Sequence, residues 1–259
     1  MYLTRFRVNT ARTGARRLLS SRQVLHAAVM SSFPTLLPTD RPVPETPRVL
    51  WRLDHNAPGE VLLFLVSPHA PDLTHLVEQA GWPTALVDGP GWQTRPYAPF
   101  LDRLTKGERW AFRLTANPVH HIRRTDDEPR KRTAHLTPYH QMGWLLDSER
   151  QEHGGFRILE KPKQKRLLPG GTTHQGREHH GDRYELTVHD QRSLAFDKSR
   201  ATGARRGKPV TLVTATFDGR LEVADPDLLR RTLTRGLGKA KAYGCGLMTL
   251  APPPQGASR

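Results

Sequence analysis

A single cysteine, Cys245, stands among 259 residues. One thiol can build neither a disulfide framework nor a cysteine-based zinc site, and the chain reads as cytosolic. No stretch approaches the ~20 apolar residues of a membrane span. The opening MYLTRFRVN alternates apolar and polar residues where a signal peptide would carry an apolar run. Acid is scarce too, with 25 Asp+Glu against 40 Lys+Arg. The one dense acidic run is Asp126, Asp127 and Glu128, so the paired carboxylates of two-metal nucleases are lacking. No G-x-S-x-G elbow supports Ser-His-Asp catalysis.

What is present is positive charge, a formal +15. Such a balance points to a polyanionic partner. The first 22 residues hold six arginines and no acid, and further basic runs cover 123–132, 157–166, 198–208 and 230–241. Spread along the whole chain, this charge suits an extended groove tracking an RNA or DNA backbone better than one tail.

Period-two alternation over 2–8 predicts a strand with one basic face. Ser20 or Ser21 caps a helix over about 22–32, with Leu25, Ala28 and Val29 as its apolar stripe. Residues 34–47 are proline-rich and predict a loop. Runs 49–53 and 61–66 pair as strands, Asp72 caps a short helix over 71–78, and 109–118 reads as the fourth strand. A basic linker over 119–133 precedes a second set. This set begins with a helix from Thr137 or Pro138 to about Arg150. Strands over 156–168 and 182–188 then flank a glycine- and histidine-rich loop. A strand over 209–217 ends in an Asp218-Gly219 turn. Asp225 caps a helix to about Thr234, and a glycine loop leads to a last strand over 247–250. The first set reads β-α-β-β-α-β, and the second is close to it, with strand insertions. The expected class is α+β: two tandem ferredoxin-like (RRM-like) domains with antiparallel sheets, over 1–118 and 134–252, and a disordered tail over 253–259. The RRM layout fits RNA, although the stacked aromatics of its RNP1 signature are absent.

Two features carry candidate chemistry. In 235–247, R-G-L-G-K-A-K-A-Y-G-C-G-L, Gly236, Gly238, Gly244 and Gly246 alternate with Lys239, Lys241 and Tyr243. Such a loop can cradle phosphate on backbone N–H groups, or its glycines can serve only as turn residues. It is neither a P-loop nor a G-x-G-x-x-G fingerprint. His26, on the first helix with Arg22 one turn earlier, has an imidazole suited to proton transfer near neutrality. A nearby arginine would stabilise a pentacoordinate phosphorus. His120, His121, His135, His140, His174, His179 and His180 read as loop residues. The last three have the residue type for a metal but no cysteine or acidic partner set.

The segments M-Y-L-T-R-F-R-V-N, L-H-A-A-V-M, S-P-H-A-P-D, F-R-L-T-A-N-P, F-D-G-R-L-E-V-A-D-P and G-L-G-K-A-K-A-Y-G-C-G-L occur in order. Together they resemble the CasE family, the repeat-processing endoribonuclease of type I-E CRISPR systems, over about 1–252. The glycine-rich end is shared by a wider group of repeat-associated RNA-binding proteins, and L-H-x-x-x-M narrows it. The resemblance implies binding of the hairpin in CRISPR repeat RNA and cleavage at the 3′ base of its stem by the neighbouring 2′-OH. It implies no metal or other cofactor, and a mature crRNA held within Cascade beside other subunits, away from any membrane. His26 is implied as general acid or base. The glycine loop, with Arg235, Gly236, Gly238, Lys239, Lys241, Tyr243 and Gly244, is implied to hold RNA backbone. A groove-binding hairpin supplies Arg157, Lys161, Lys163, Lys165 and Arg166. Some members carry a tyrosine where this chain has Gln23, and a basic residue where it has Ser31. Either Tyr2 or Tyr243 is then the candidate second proton-transfer group or a lysine serves only electrostatically, and Arg22 is the candidate for charge stabilisation.

Overall fold

The computed structural model describes residues 1–33, 48–57, 59–83, 91–122, 131–166, 173–174, 177–178, 180–196 and 210–253. The expected proline-rich loop over 34–47 and all but the first residue of the expected disordered tail lie outside the described residues.

The first half runs β1 (Tyr2–Asn9), α1 (Thr13–Ser20), α2 (Arg22–Met30), β2 (Leu50–Ala57), β3 (Glu60–Ser67), α3 (Thr74–Ala80) and β4 (Trp92–Pro96). Its sheet has the order β2-β3-β1-β4, and β1–β3, β1–β4 and β2–β3 all pair antiparallel. The alternation of β1 decides its faces: Phe6 and Val8 are buried, Arg5 and Arg7 exposed. Phe6 and Val8 join Leu63, Leu65, Leu25 and Val29 in one core between sheet and helices. Helix α2 starts where expected, because the Ser21 hydroxyl accepts the Val24 N–H at 3.4 Å. Asp72 acts one step earlier than expected: its carboxylate accepts the N–H and hydroxyl of Thr74, at 2.9 and 2.6 Å, and α3 begins there.

The second half runs β5 (Arg109–Ala116), β6 (Val119–Ile122), β7 (Lys131–Ala134), α5 (Pro138–Leu146), α6 (Ser148–Gly154), β8 (Phe156–Ile158), β9 (Thr173–His174), β10 (Arg177–Glu178), α7 (His180–Arg183), β11 (Leu186–Phe196), β12 (Val210–Val223), α8 (Pro226–Arg235) and β13 (Met248–Ala251), with the short α4 (Ala98–Asp102) ahead of it. Its sheet has the order β11-β12-β5-β13, with β8 also on β12. Strand β8 faces Leu221–Val223 and β11 faces Val210–Gly219, on the same edge of β12. They are one strand interrupted by the excursion 159–185. Both halves thus share one strand order and one β-α-β-β-α-β plan, the ferredoxin-like arrangement.

Several sequence expectations are corrected. Residues 109–116 do not complete the first sheet but form an inner strand of the second, paired with β12 and β13. The first sheet closes instead with β4, so the first unit ends before 109 and not at 118. Strand β4 is a short, polar edge strand ending in proline, which leaves little periodic signal. The expected linker 119–133 contributes both arms of a hairpin, β6 with β7. The helix expected to run to Arg150 breaks at Asp147, whose carboxylate accepts the Arg150 N–H at 2.9 Å and starts α6. The strand expected over 156–168 stops at Ile158. Lys163–Lys165 form a 3-10 turn, and 167–168 lie outside the described residues. The strand expected from 182 begins at Leu186, after α7. Asp218 and Gly219 are no turn but lie inside the 14-residue β12. Glycine is required at 219 because a Cβ would stand 2.4 Å from the Glu185 carbonyl oxygen.

The two halves meet face to face. Leu50 and Val66 of the first sheet belong to the core of the second half, with Phe112, Leu114, Leu247 and Met248. At the seam Arg52 is only 1% exposed. Its guanidinium grips Asp54 through Nε (2.6 Å) and Nη2 (2.9 Å). It also donates to the carbonyls of Arg113 (2.8 Å) and Leu247 (3.0 Å) and to the Thr249 hydroxyl (2.9 Å). All five N–H donors of this buried cation are thereby matched.

Candidate active site at the meeting of the two halves

Helix α2 carries Arg22 and His26 one turn apart, hence on one face. The loop after α8 returns to meet α2 and β2 through the turn Lys241–Tyr243. The fold thus brings together two segments separated by more than two hundred residues.

The four loop glycines 236, 238, 244 and 246 all have positive φ, between +76° and +89°. Two of them explain the close approach. At Gly244 (φ +80°) a Cβ would come within 2.6 Å of the Trp51 ring, and at Gly236 within 3.0 Å of Leu50. The loop's N–H groups are partly committed: Leu237 donates to Gly246 O (2.9 Å) and Gly246 to Thr115 O (2.7 Å). The glycines therefore serve first to turn and pack the chain.

Trp51 is the residue that sequence reasoning missed. Its buried indole meets the loop at Gly244, and the Arg22 guanidinium lies 5.7 Å from its ring centroid. A tryptophan inside a β run carries no signal of such a bridge, because its partners come from distant segments.

Electrostatics separates the candidates. Burial pushes the His26 imidazole below its ordinary pKa of 6.5, and among the described residues its buried Nδ1 has no hydrogen-bond partner. Arg22 is 9% exposed, and burial lowers its pKa. Cys245 is buried beside it and its thiol is pushed up to about 12, chiefly by burial; it is a packing residue, not a nucleophile. Lys241 is lowered by burial and then by Arg48 and Lys239. Tyr243 packs its ring 4.6 Å from Phe196 on the turn that meets α2, whereas Tyr2 pairs with Ser67 and Pro96 in the first sheet.

The other predicted residues lie elsewhere. Gly238 and Lys239 are exposed at the loop's outer edge. Arg235 borders a separate cleft with Arg150 and Arg231. Arg157 faces Glu222 across β12 and Arg192 faces Thr214, eight residues away on the same strand, about 26 Å at the usual rise. The excursion that carries the basic turn leaves the second sheet beside Arg220, six residues from Thr214 along β12. Arg157, Lys163 and Lys165 are exposed. Lys161 donates to Gly181 O at 2.6 Å, and Arg166 pairs with Glu160 at 2.7 Å, so both hold the excursion together. His174 and His179 lie where no side chain is described. Among the described residues no group of three or more His, Cys, Asp or Glu is gathered as a metal would need, and no helix is long and apolar enough to cross a membrane.

The model of a family described as "CRISPR associated protein" matches residues 1–252. The CRISPR-associated endoribonuclease Cse3 of Thermus thermophilus is 31% identical over 252 residues, covering 97% of this chain and all of that protein. Among solved structures, Cse3 bound to 19 nt RNA superposes with a TM-score of 0.65 at 29% identity, covering 97% of this chain and 100% of the other. Thermus thermophilus Cse3 bound to an RNA representing a pre-cleavage complex gives 0.66 at 28% identity, covering 97% and 98%.

Proposed function

The chain belongs to the CRISPR-associated protein family, and from that premise we propose that it is a metal-independent endoribonuclease. It binds the repeat hairpin of precursor CRISPR RNA, cuts at the 3′ base of the stem, and keeps the mature crRNA as a subunit of Cascade. The observation that carries this reading is His26. A half-buried imidazole, with a nitrogen unpartnered among the described residues, stands on a helix that meets the turn of the glycine loop.

In the reaction the ribose 2′-OH upstream of the cut attacks phosphorus. The P–O5′ bond breaks, leaving a 2′,3′-cyclic phosphate on one product and a 5′-OH on the other. His26 takes the 2′-OH proton or gives one to the departing O5′, a role worth ~10²–10⁴ in rate. Arg22, a cation held close in a poorly hydrated place, offsets charge on the pentacoordinate phosphorus. Tyr243 is the better placed of the two tyrosines for the second proton. Lys241 holds backbone near the cut, and Gly238 and Lys239 offer the loop's exposed outer edge to backbone farther away. Arg157, Lys163 and Lys165 reach the stem.

Gln23, which exchanges no proton, favours one other reading: a structured-RNA-binding subunit of the same fold that does not cut. Incubation with the host's repeat RNA in EDTA separates the two. Cleavage by the wild type, lost in His26→Ala with binding retained, supports the enzyme. Wild-type cleavage that needs a divalent ion, or that survives His26→Ala, overturns the mechanism.

A further inference from the structure

A small cleft of about 140 Å³ opens beside the α1–α2 corner, bordered by Ser21 and Arg22, by Leu53 and His55 of β2, and by Arg192 and Phe196 of β11. We propose that it is a phosphate subsite for the RNA backbone, taking a phosphodiester next to the one that is cut. The proposal rests on the reading of the chain as an RNA-cleaving enzyme and adds to it a specific contact.

Two cations converge on this cleft. Arg22 is nine-tenths buried, yet among the described residues its guanidinium has no hydrogen bond and no ion pair. A buried cation with five donors and no hydrogen bond among the described residues is costly; the Trp51 ring and Asp190 offset part of that cost, and an anion at the cleft, held beside the reacting phosphate that Arg22 also serves, lowers it further. Arg192 supplies the second cation. Its Nε donates to Asp190 Oδ1 at 2.8 Å, and its four Nη donors make no hydrogen bond among the described residues. Asp190 thus orients Arg192 and leaves the outer edge of the guanidinium for a ligand.

Backbone geometry explains how Arg192 comes to be there. His189 faces Thr216 but Arg192 faces Thr214, so three steps on β11 answer two on β12. Since side chains alternate, this bulge turns Arg192 to the face opposite Val188, away from the core of the second half and toward β2. Asp190, inside the bulge, sits at φ +48°, a conformation rare outside glycine. Bulges of this kind re-aim side chains beside functional sites.

His55 reports the convergence. Its pKa is lowered first by burial and then by Arg192, with Arg22 adding to it, while Asp190 and Asp54 act in the opposite direction. Both arginines are therefore within electrostatic reach of one imidazole. Asp54 is held by Arg52, and Asp190 by Arg192, so the cleft keeps net positive charge. The first turn of the nine-residue α2, capped by Ser21, adds its positive end. At about 140 Å³ the space has room for a phosphate group. His26 stands one turn along α2, so the phosphate held here is a neighbour of the reacting one.

The test uses repeat RNA made uncleavable by a 2′-deoxyribose at the cut, with one neutral methylphosphonate placed in turn at each phosphate flanking it. For the wild type, one position should weaken binding about tenfold, as for loss of a charge-assisted contact. Arg192→Gln should bind the unmodified RNA about tenfold more weakly and show no further loss from that same methylphosphonate. Arg192→Lys, which keeps the charge, should retain the position effect and covers the case in which Arg192→Gln fails to fold. The proposal is overturned if Arg192→Gln binds like the wild type, or if each methylphosphonate weakens both proteins alike. Cleavage of all-ribose RNA by the wild type is scored separately. Coupling without cleavage keeps the subsite and removes the enzyme; cleavage without coupling does the reverse.

Discussion

Gly244 rests against the indole of Trp51 so closely that a Cβ would stand 2.6 Å from the ring. The same ring neighbours Arg22. One indole therefore sets both the height of the glycine loop and the start of the helix that carries His26. Gly244→Ala meets two penalties: ~1–3 kcal/mol for a non-glycine residue at positive φ, and displacement of a buried ring. Gly107→Ala is the control, because it has φ +88° but nothing within 4 Å of its Cβ. Thermal unfolding should place Gly244→Ala well below Gly107→Ala. Single-turnover cleavage should fall in Gly244→Ala alone. Equal melting of the two variants would remove the role given to Trp51.

The His26 imidazole is held below 6.5 by burial, so it stays neutral to lower pH than an exposed histidine. Acting as base, it should let cleavage rise with pH and level off below 6.5. Acting as acid, it should make cleavage decline from below 6.5. In either role the break in a plot of log rate against pH lies on the acid side of 6.5. His26→Ala should erase that break together with ~10²–10⁴ of the rate. A break above 6.5 that persists in His26→Ala would assign the titration to another group.

The plan of two β-α-β-β-α-β units was legible because it rests on local signals. The alternation in β1, the serine before α2 and the Asp225-Pro226 pair before α8 each act within a few residues. The Asp225 carboxylate accepts the N–H groups of Asp227 (2.9 Å) and Leu228 (3.0 Å). What misled was long-range. Strand pairing decided that Arg109–Ala116 belongs to the second sheet, and close approach to Glu185, not a turn, called for Gly219. At the candidate site, the placing of His26 and Arg22 one turn apart on one helix was legible from spacing. Trp51, His55 and Arg192 were not, because a fold-dependent meeting of β2, α2 and a bulged β11 gives them their place. No spacing along the chain encodes it.

Arg52 and Asp54 are buried together at the seam between the halves. Removing one partner of such a pair leaves an unmatched charge, at about 3–5 kcal/mol. Asp54→Ala should lower the urea midpoint accordingly, more than Glu222→Ala, which breaks the exposed pair with Arg109. Replacing both partners, with Arg52→Met and Asp54→Leu, should recover only part of the loss, since it removes the unmatched charge but leaves the carbonyls of Arg113 and Leu247 without their donor. Equal midpoints for Asp54→Ala and Glu222→Ala would show that the seam is not held this way.

A stack of imidazoles gives the fold its own pH dependence. The His120 and His135 rings lie 4.3 Å apart and His135 and His140 5.9 Å apart. Burial, then His120, His140 and Arg150, bring His135 down to about 4. Unfolded, the same group titrates near 6.5. Between these values the unfolded chain binds more protons, so stability falls as pH drops from 6.5 toward 4. His135→Gln cannot take up that proton. Melting temperatures of wild type and variant should therefore converge, or cross, on going from pH 7 to pH 4.5. A constant gap would mean that His135 does not contribute.

The basic excursion should behave as two sets of cations. Arg157, Lys163 and Lys165 are exposed, and each phosphate they neutralise releases counterions. Changing one to glutamine should lower the slope of log affinity against log salt by ~0.7–0.9 and leave melting unchanged. Lys161 and Arg166 have partners within the protein, Gly181 O and Glu160. Their replacement should loosen the turn, seen as faster proteolysis of 159–185, and change RNA affinity through that loosening. Binding isotherms of repeat RNA at several salt concentrations tell the sets apart. If all five substitutions changed the salt slope equally and none affected proteolysis, the division would fail, and the excursion would be a uniform charged surface.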